Sequence, residues 1–225
     1  MTTNKKIVMH IIPALGSGGA ERMLLRIVNN DTKHNHIVII IKKINRESIF
    51  YKINLDSVTL LSLGFGGTRD LFYSPRKYLH YLNKYSPDII QTWMYHANLF
   101  GGVVAYIKGY RNIYWNIRSA EVSLKKMKLR TLLFVMLGAL FSHFIPRSII
   151  SCSKRAIDVH RKLLYCESKF VYIPNGIDNS FVLKNKAIIN KTPVVGFVAR
   201  LDSQKNHHNF LESLKRINYP VKFVL

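Results

Sequence analysis

At 225 residues, 48% hydrophobic and only 20% charged, the chain has the apolar content to bury a core of ordinary domain size, which excludes disordered and fibrous proteins. Its 34 Lys and Arg against 12 Asp and Glu give a net charge of +22, which suits a polyanion such as nucleic acid or anionic lipid, although biased composition would also place part of that excess on any solvated surface. The two cysteines, Cys152 and Cys166, fit no zinc or redox spacing and read as reduced structural thiols.

Strand-like and helix-like stretches alternate from the start. Residues 6–12 follow Lys5 and superficially mimic a signal peptide, but His10 and Pro13 interrupt the apolar run, which therefore reads as a buried first strand. A helix is predicted over 20–29, strands over 36–41 and 58–63, and a helix over 75–85. The pattern continues with a strand at 88–92, a helix at 97–108, a strand at 113–117 and a long helix with a basic start at 122–144. A strand at 148–152, a helix at 154–165 and a strand at 170–173 complete the series. Hydrophobicity in 37–41 is continuous rather than alternating, as in a parallel strand covered on both faces. The longest apolar run, 132–145, contains Ser142 and His143 and falls short of the roughly 20 residues a spanning helix needs. These features predict a doubly wound α/β domain.

After residue 173, Pro174-Asn175-Gly176-Ile177-Asp178 is a turn signal, and a polar stretch runs to residue 191. The expected organisation is a Rossmann-like domain over 1–188 and an incomplete second domain over 189–225. The latter has a strand at 193–199, a helix at 206–217 and a strand from 221.

Two segments have the composition of an anion site. Gly16-Ser17-Gly18-Gly19-Ala20-Glu21-Arg22 follows the first strand and opens the first helix, where small residues and unpaired N–H groups let a phosphate or sugar approach the backbone. The spacing is not that of the dinucleotide fingerprint, and the second strand ends in Lys42-Lys43 in place of a ribose-binding acid. In the second domain, the strand ending near Ala199 delivers Arg200 and Lys205 to an edge where two cations suit a diphosphate leaving group. The bland alternatives, a tight turn and solvated surface charge, stay open on spacing alone.

Together, the segments 11–22, 91–98, 173–178 and 200–206 resemble glycosyltransferase family 4 and occur in that family's order. The resemblance implies a GT-B architecture, two Rossmann-like domains facing across a cleft. It also implies transfer of a sugar from a nucleotide-sugar donor with retention and without a metal. Gly16, Ser17, Gly18, Gly19 and Glu21 match the loop that approaches donor phosphate and acceptor. Arg200 and Lys205 match the catalytic cations on the leaving diphosphate, and His96, Arg118 and Asn175 fall where the family lines its substrate side. Many members carry a histidine in the segment matched by Asn116-Ile117-Arg118-Ser119. The family's pair of glutamates separated by seven residues has no counterpart up to Leu225, so a truncated donor domain is expected.

No Asp-x-Asp and no His/Cys/carboxylate cluster with ligand spacing occurs, so no metal site is expected. His10 reads as a satisfied core or cleft histidine. Lys125, Lys126, Lys128 and Arg130 precede an apolar helix that either lies on an anionic membrane surface or packs on the sheet behind a solvated basic start. Aromatic residues sit within apolar runs and not between cations, which argues against nucleic acid. The expected protein is a cytoplasmic enzyme, peripheral on the inner face of the cytoplasmic membrane. It would use a lipid-linked saccharide acceptor in bacterial surface-polysaccharide assembly. The competing reading is an inert remnant that serves as a basic membrane- or polyanion-binding module.

Overall fold

A computed structural model describes residues 5–16, 18–43, 58–66, 70–120, 122, 129–176, 192–199, 201 and 205–224. The chain divides into two units, Met1–Gly176 and Ile177–Leu225. The expected boundary at 188/189 lies outside the described residues.

In the first unit β1 (Ile7–Ile12), α1 (Gly19–Asn30), β2 (Asn35–Lys42), β3 (Val58–Phe65), α2 (Asp70–Tyr85), β4 (Ile89–Trp93) and α3 (Met94–Ile107) come first. They are followed by β5 (Ile113–Ile117), α4 (Leu129–Ser142), β6 (Ser148–Ser151), α5 (Lys154–Lys162) and β7 (Phe170–Tyr172). All seven strands are parallel, in the order β3-β2-β1-β4-β5-β6-β7. The order reverses between β1 and β4, the place where open parallel sheets leave a crevice beyond the strands' carboxyl ends.

The sheet is covered on both faces, as the continuous apolar runs require. Ile12, Val38 and Ile40 pack with Leu24, Leu25 and Val28 of α1. On the other face Met9, Ile11, Ile37 and Ile39 pack with residues of α2, α3 and α4. Two glycines let α3 lie directly on the sheet. A Cβ on Gly101 would stand 2.7 Å from Ile11 Cδ1, and one on Gly102 would stand 2.6 Å from Trp115 Nε1.

Two helix starts differ from expectation. The helix at 75–85 begins at Asp70, with Pro75 inside it; proline forfeits the bond to the carbonyl four residues earlier, a loss confined to one turn. The helix expected from 97 begins at Met94, immediately after β4, because Met94 adopts φ 68° and turns strand into helix without a connector. The helix predicted over 122–144 is described as α4, and residues 123–128, with Lys125, Lys126 and Lys128, lie outside the described residues.

The second unit contains β8 (Val194–Gly196), α6 (His207–Leu214) and β9 (Lys222–Val224), with β8 parallel to β9. This is one strand-helix-strand unit. Phe197 stacks on Phe210 of α6 at 4.4 Å between ring centroids, and His207 meets Phe197 edge-on at 5.0 Å.

Candidate functional site

The carboxyl edge of the seven-stranded sheet gathers most of the residues singled out in the first unit. Arg118 follows β5, whose register sets Asn116 beside Trp93 at the end of β4. Its guanidinium bonds Asn116 Oδ1 at 3.2 Å and Asn175 Oδ1 of the loop after β7, and it lies 4.9 Å above the Trp93 ring. A planar cation is thereby fixed by two amides and an aromatic face, the geometry in which arginine is preorganised for an anion. Its Nε is buried and has no hydrogen-bond partner among the described residues. Arg26 of α1 donates to Gly176 O at 2.8 Å, tying the same loop to the first helix.

Trp93 packs in the cluster that holds Leu15 and Ala20, the residues flanking the glycine loop, so loop, Trp93, Arg118 and Asn175 form one continuous assembly. Gly18 is the N-cap of α1, and Gly19 is its first residue. Glu21 folds back over this loop: a Cβ on Gly18 would meet its carboxylate, with Glu21 Cδ at 3.1 Å, and one on Gly16 would stand 3.7 Å from Oε1. The helix start thus already carries an acid of its own. A phosphate approaching it must displace Glu21, whereas a sugar hydroxyl can donate to it. Ser17 lies outside the described residues.

His96 is placed differently. It is exposed, with its ring 4.4 Å from that of Phe134 on α4. It lines a cavity on the α2, α3 and α4 side together with Pro13 and Lys42. The structure therefore brings Arg118 and Asn175 together and sets Gly16, Gly18 and Glu21 together, while His96 lines the cavity beside α2, α3 and α4.

A buried polar chain supports Trp93 from beneath. Trp93 Nε1 donates to His10 Nδ1 at 3.4 Å, His10 Nε2 meets His36 Nδ1 at 3.0 Å, and His36 Nε2 lies 3.4 Å from Asp31 Oδ2. An indole can only donate, so His10 Nδ1 accepts and its proton sits on Nε2; His36 Nδ1 then accepts, which leaves the His36 proton on Nε2, within 3.4 Å of the Asp31 carboxylate but without a formed hydrogen bond. Burial holds His10 down at about 3, with the neighbouring His36 adding to the effect, and burial also lowers His36 against the pull of Asp31. Burial alone would raise Asp31, but the bonds from His34 and Lys33 N–H bring it down to about 2. Both core histidines are neutral near pH 7.

At the start of α3, Tyr95 shares a 2.8 Å bond with His160 Nε2, whose Nδ1 is 2.7 Å from Ala156 O. A carbonyl accepts only, so the His160 proton is on Nδ1 and Tyr95 donates. Asn98 lies 2.7 Å from Thr92 Oγ1, and the amide orientation that satisfies both its ends also donates to Met94 O at 3.2 Å, pinning the left-handed turn. Trp93, Asn116, Tyr95 and the His10–His36–Asp31 chain went unread in the sequence as site residues. Their signal is strand register, which no local motif carries.

In the second unit, Lys205 is exposed just ahead of α6, and Arg200 lies outside the described residues. Among the described residues no group of three or more His, Cys, Asp or Glu is arranged to hold a metal ion. No helix among them is long and apolar enough to cross a membrane.

No family model matches the sequence. No curated protein matches it either. Solved structures do. Anabaena HepE in complex with UDP and glucose superposes with a TM-score of 0.74 at 14% identity, over 97% of this chain and 60% of that one. The sucrose-phosphate synthase of Thermosynechococcus elongatus gives 0.70 at 13% identity, over 97% and 61%. The lipopolysaccharide outer core galactosyltransferase WaaB, in its apo form, gives 0.68 at 16% identity, over 96% and 59%. At such identities the likeness is one of fold, and that fold is the GT-B-type, Rossmann-like α/β architecture. The chain spans about 60% of the length of these structures.

Proposed function

We propose that this chain carries the acceptor-side domain, residues 1–188, and the opening of the donor-side domain, 189–225, of a retaining glycosyltransferase resembling family 4. The observation that carries the reading is the Arg118 assembly: a guanidinium fixed by Asn116, Asn175 and Trp93, with its Nε unbonded, at the strand-order reversal and joined through Trp93 to the glycine loop. Binding of UDP by HepE, a protein of the same fold, supports a nucleotide-sugar donor.

In the proposed reaction the bond between the donor's anomeric carbon and its phosphate oxygen breaks. A new bond forms from that carbon to an acceptor hydroxyl oxygen on the same face. The hydroxyl proton passes to the departing diphosphate. Arg200 and Lys205 are assigned to the charge that develops on the leaving oxygens, in place of a metal, because preorganised cations act most strongly where charge develops. Gly16, Ser17, Gly18 and Gly19 admit donor and acceptor close to the backbone, Glu21 accepts from an acceptor hydroxyl, and Arg118, Asn175 and His96 orient the acceptor. The acceptor is a lipid-linked saccharide in bacterial surface-polysaccharide assembly. The protein meets the cytoplasmic membrane's inner face through Lys125, Lys126, Lys128 and Arg130.

The test of mechanism is the anomer formed. Transfer from UDP-α-glucose, or from another α-linked nucleotide sugar that proves active, followed by proton NMR of the product, should give the α-linkage. A β-linked product would overturn retention, and the absence of sugar transfer from every nucleotide sugar tried, by the chain completed with a whole donor-side domain, would overturn the transferase.

A further inference from the structure

A cavity of about 520 Å³ opens between α2, α3 and α4 on the face of the sheet opposite α1. Its walls are apolar: Leu99, Phe100 and Val103 of α3 face Phe134, Leu137 and Phe141 of α4. The α4 positions recur at intervals of three and four, so they form one flank of the helix. Val135 and Ala139 point to the core, and Leu129, Leu133, Met136 and Leu140 form a second stripe, between 55% and 80% exposed. An apolar stripe so exposed marks a surface that meets lipid or protein.

One end of the cavity is polar. Lys42, Ser74, His96 and Pro13 line it, and none of the described lining residues is acidic. Ser74 is 1% exposed, and its hydroxyl has no hydrogen-bond partner among the described residues. Lys42 N–H donates to Pro13 O at 3.0 Å, which ties the cationic end of the cavity to the segment that runs directly into Gly16.

An apolar trough with a lysine at its mouth, no acid among its described lining residues and an apolar helix stripe beside it fits a single-chain anionic amphiphile. We infer that this groove binds the hydrocarbon chain of a phosphate-bearing lipid, the lipid portion of the acceptor, with its phosphate at Lys42 and the saccharide directed towards the glycine loop. This rests on the transferase reading for the identity of the lipid as acceptor. The groove itself stands on its own lining.

The test is calorimetric titration of the protein with dodecyl phosphate below its micellar concentration, against dodecyl maltoside and inorganic phosphate. Dodecyl phosphate should bind and inorganic phosphate should not, and Lys42→Ala should bring dodecyl phosphate down to the level of the neutral detergent. Val103→Trp or Leu137→Trp, each filling the trough, should weaken dodecyl phosphate by about tenfold or more. A diazirine-bearing alkyl phosphate should label residues 99–104 or 134–141 of the unaltered protein, a readout independent of how the variants fold. No binding, binding indifferent to both tryptophans, or labelling confined elsewhere would overturn the groove.

An assay with free oligosaccharide acceptors separates this inference from the transferase reading. Sugar transfer without alkyl-phosphate binding sinks the groove and leaves the transferase. Alkyl-phosphate binding that the tryptophans abolish, without any sugar transfer by the chain completed with a whole donor-side domain, supports the groove and counts against the transferase.

Discussion

Arg118 is held by two amide oxygens and an aromatic ring, and each contact restricts the guanidinium plane, so a lysine cannot replace it. Arg118→Ala and Arg118→Lys should both lower sugar transfer, the alanine variant by about 10²-fold, the scale of one preorganised charge contact. A steady-state rate for each variant checks this. The histidine chain beneath Trp93 predicts acid sensitivity. His10 is held at about 3 in the folded chain, well below the ordinary histidine value near 6.5, so the unfolded state binds the extra proton first. Stability from this burial is therefore complete above about pH 6.5 and declines as pH falls towards 3, by up to about 1.4 kcal/mol per pH unit per histidine. Asp31 acts in the same direction, since its contribution is lost as pH falls through the carboxylate range to about 2. Urea midpoints measured between pH 7 and 4 should fall, and His36→Phe should flatten that dependence; a midpoint constant over this range would contradict the chain. His10 was legible as a satisfied interior histidine, because a basic residue within a buried strand needs a partner. Its partners His36 and Asp31 were not, because they meet it only through the parallel pairing of β1 with β2.

Among the elements, α3 shows where local pattern misleads. Its Gly101-Gly102 pair weakens helix propensity, yet both positions face the sheet at distances that leave no space for a methyl group. The two glycines should respond differently to alanine. At Gly101 the nearest atom is the end of the Ile11 side chain, which can rotate, whereas at Gly102 it is the ring nitrogen of fully buried Trp115. Gly102→Ala should cost about 1–3 kcal/mol despite a propensity gain near 1, and Gly101→Ala clearly less. Chemical denaturation of the two variants checks the order. The start of α3 was unreadable for a related reason: Met94 at φ 68° is a conformation that sequence assigns to glycine. The Asn98 bonds to Thr92 and Met94 hold it there. The sheet's strands, by contrast, were legible almost residue by residue, because burial on both faces writes continuous Val/Ile runs.

At the scale of the molecule, the net charge of +22 and the bare apolar stripe of α4 together predict attachment to anionic lipid. Co-sedimentation with vesicles containing phosphatidylglycerol should exceed that with neutral phosphatidylcholine. It should weaken as salt rises, because screening shortens the reach of surface charge. Leu133→Ser with Met136→Ser should reduce it further by removing the apolar part. The doubly wound class was readable from alternation alone, and the fold neighbours agree with it. The pairing of Arg118 with Asn175 was not, since 57 residues separate them and only the sheet order brings the ends of β5 and β7 to one edge. On the reading proposed above, this edge positions an acceptor for sugar transfer. It is tested by incorporation of labelled sugar from a panel of nucleotide sugars into a bacterial membrane lipid extract, with the chain completed by a whole donor-side domain, its Arg118→Ala variant and residues 1–225 alone compared side by side. Incorporation is expected from at least one donor, with a loss of about 10²-fold in the variant and little turnover by residues 1–225 alone; equal incorporation by enzyme and variant, or robust transfer by residues 1–225 alone, would refute it.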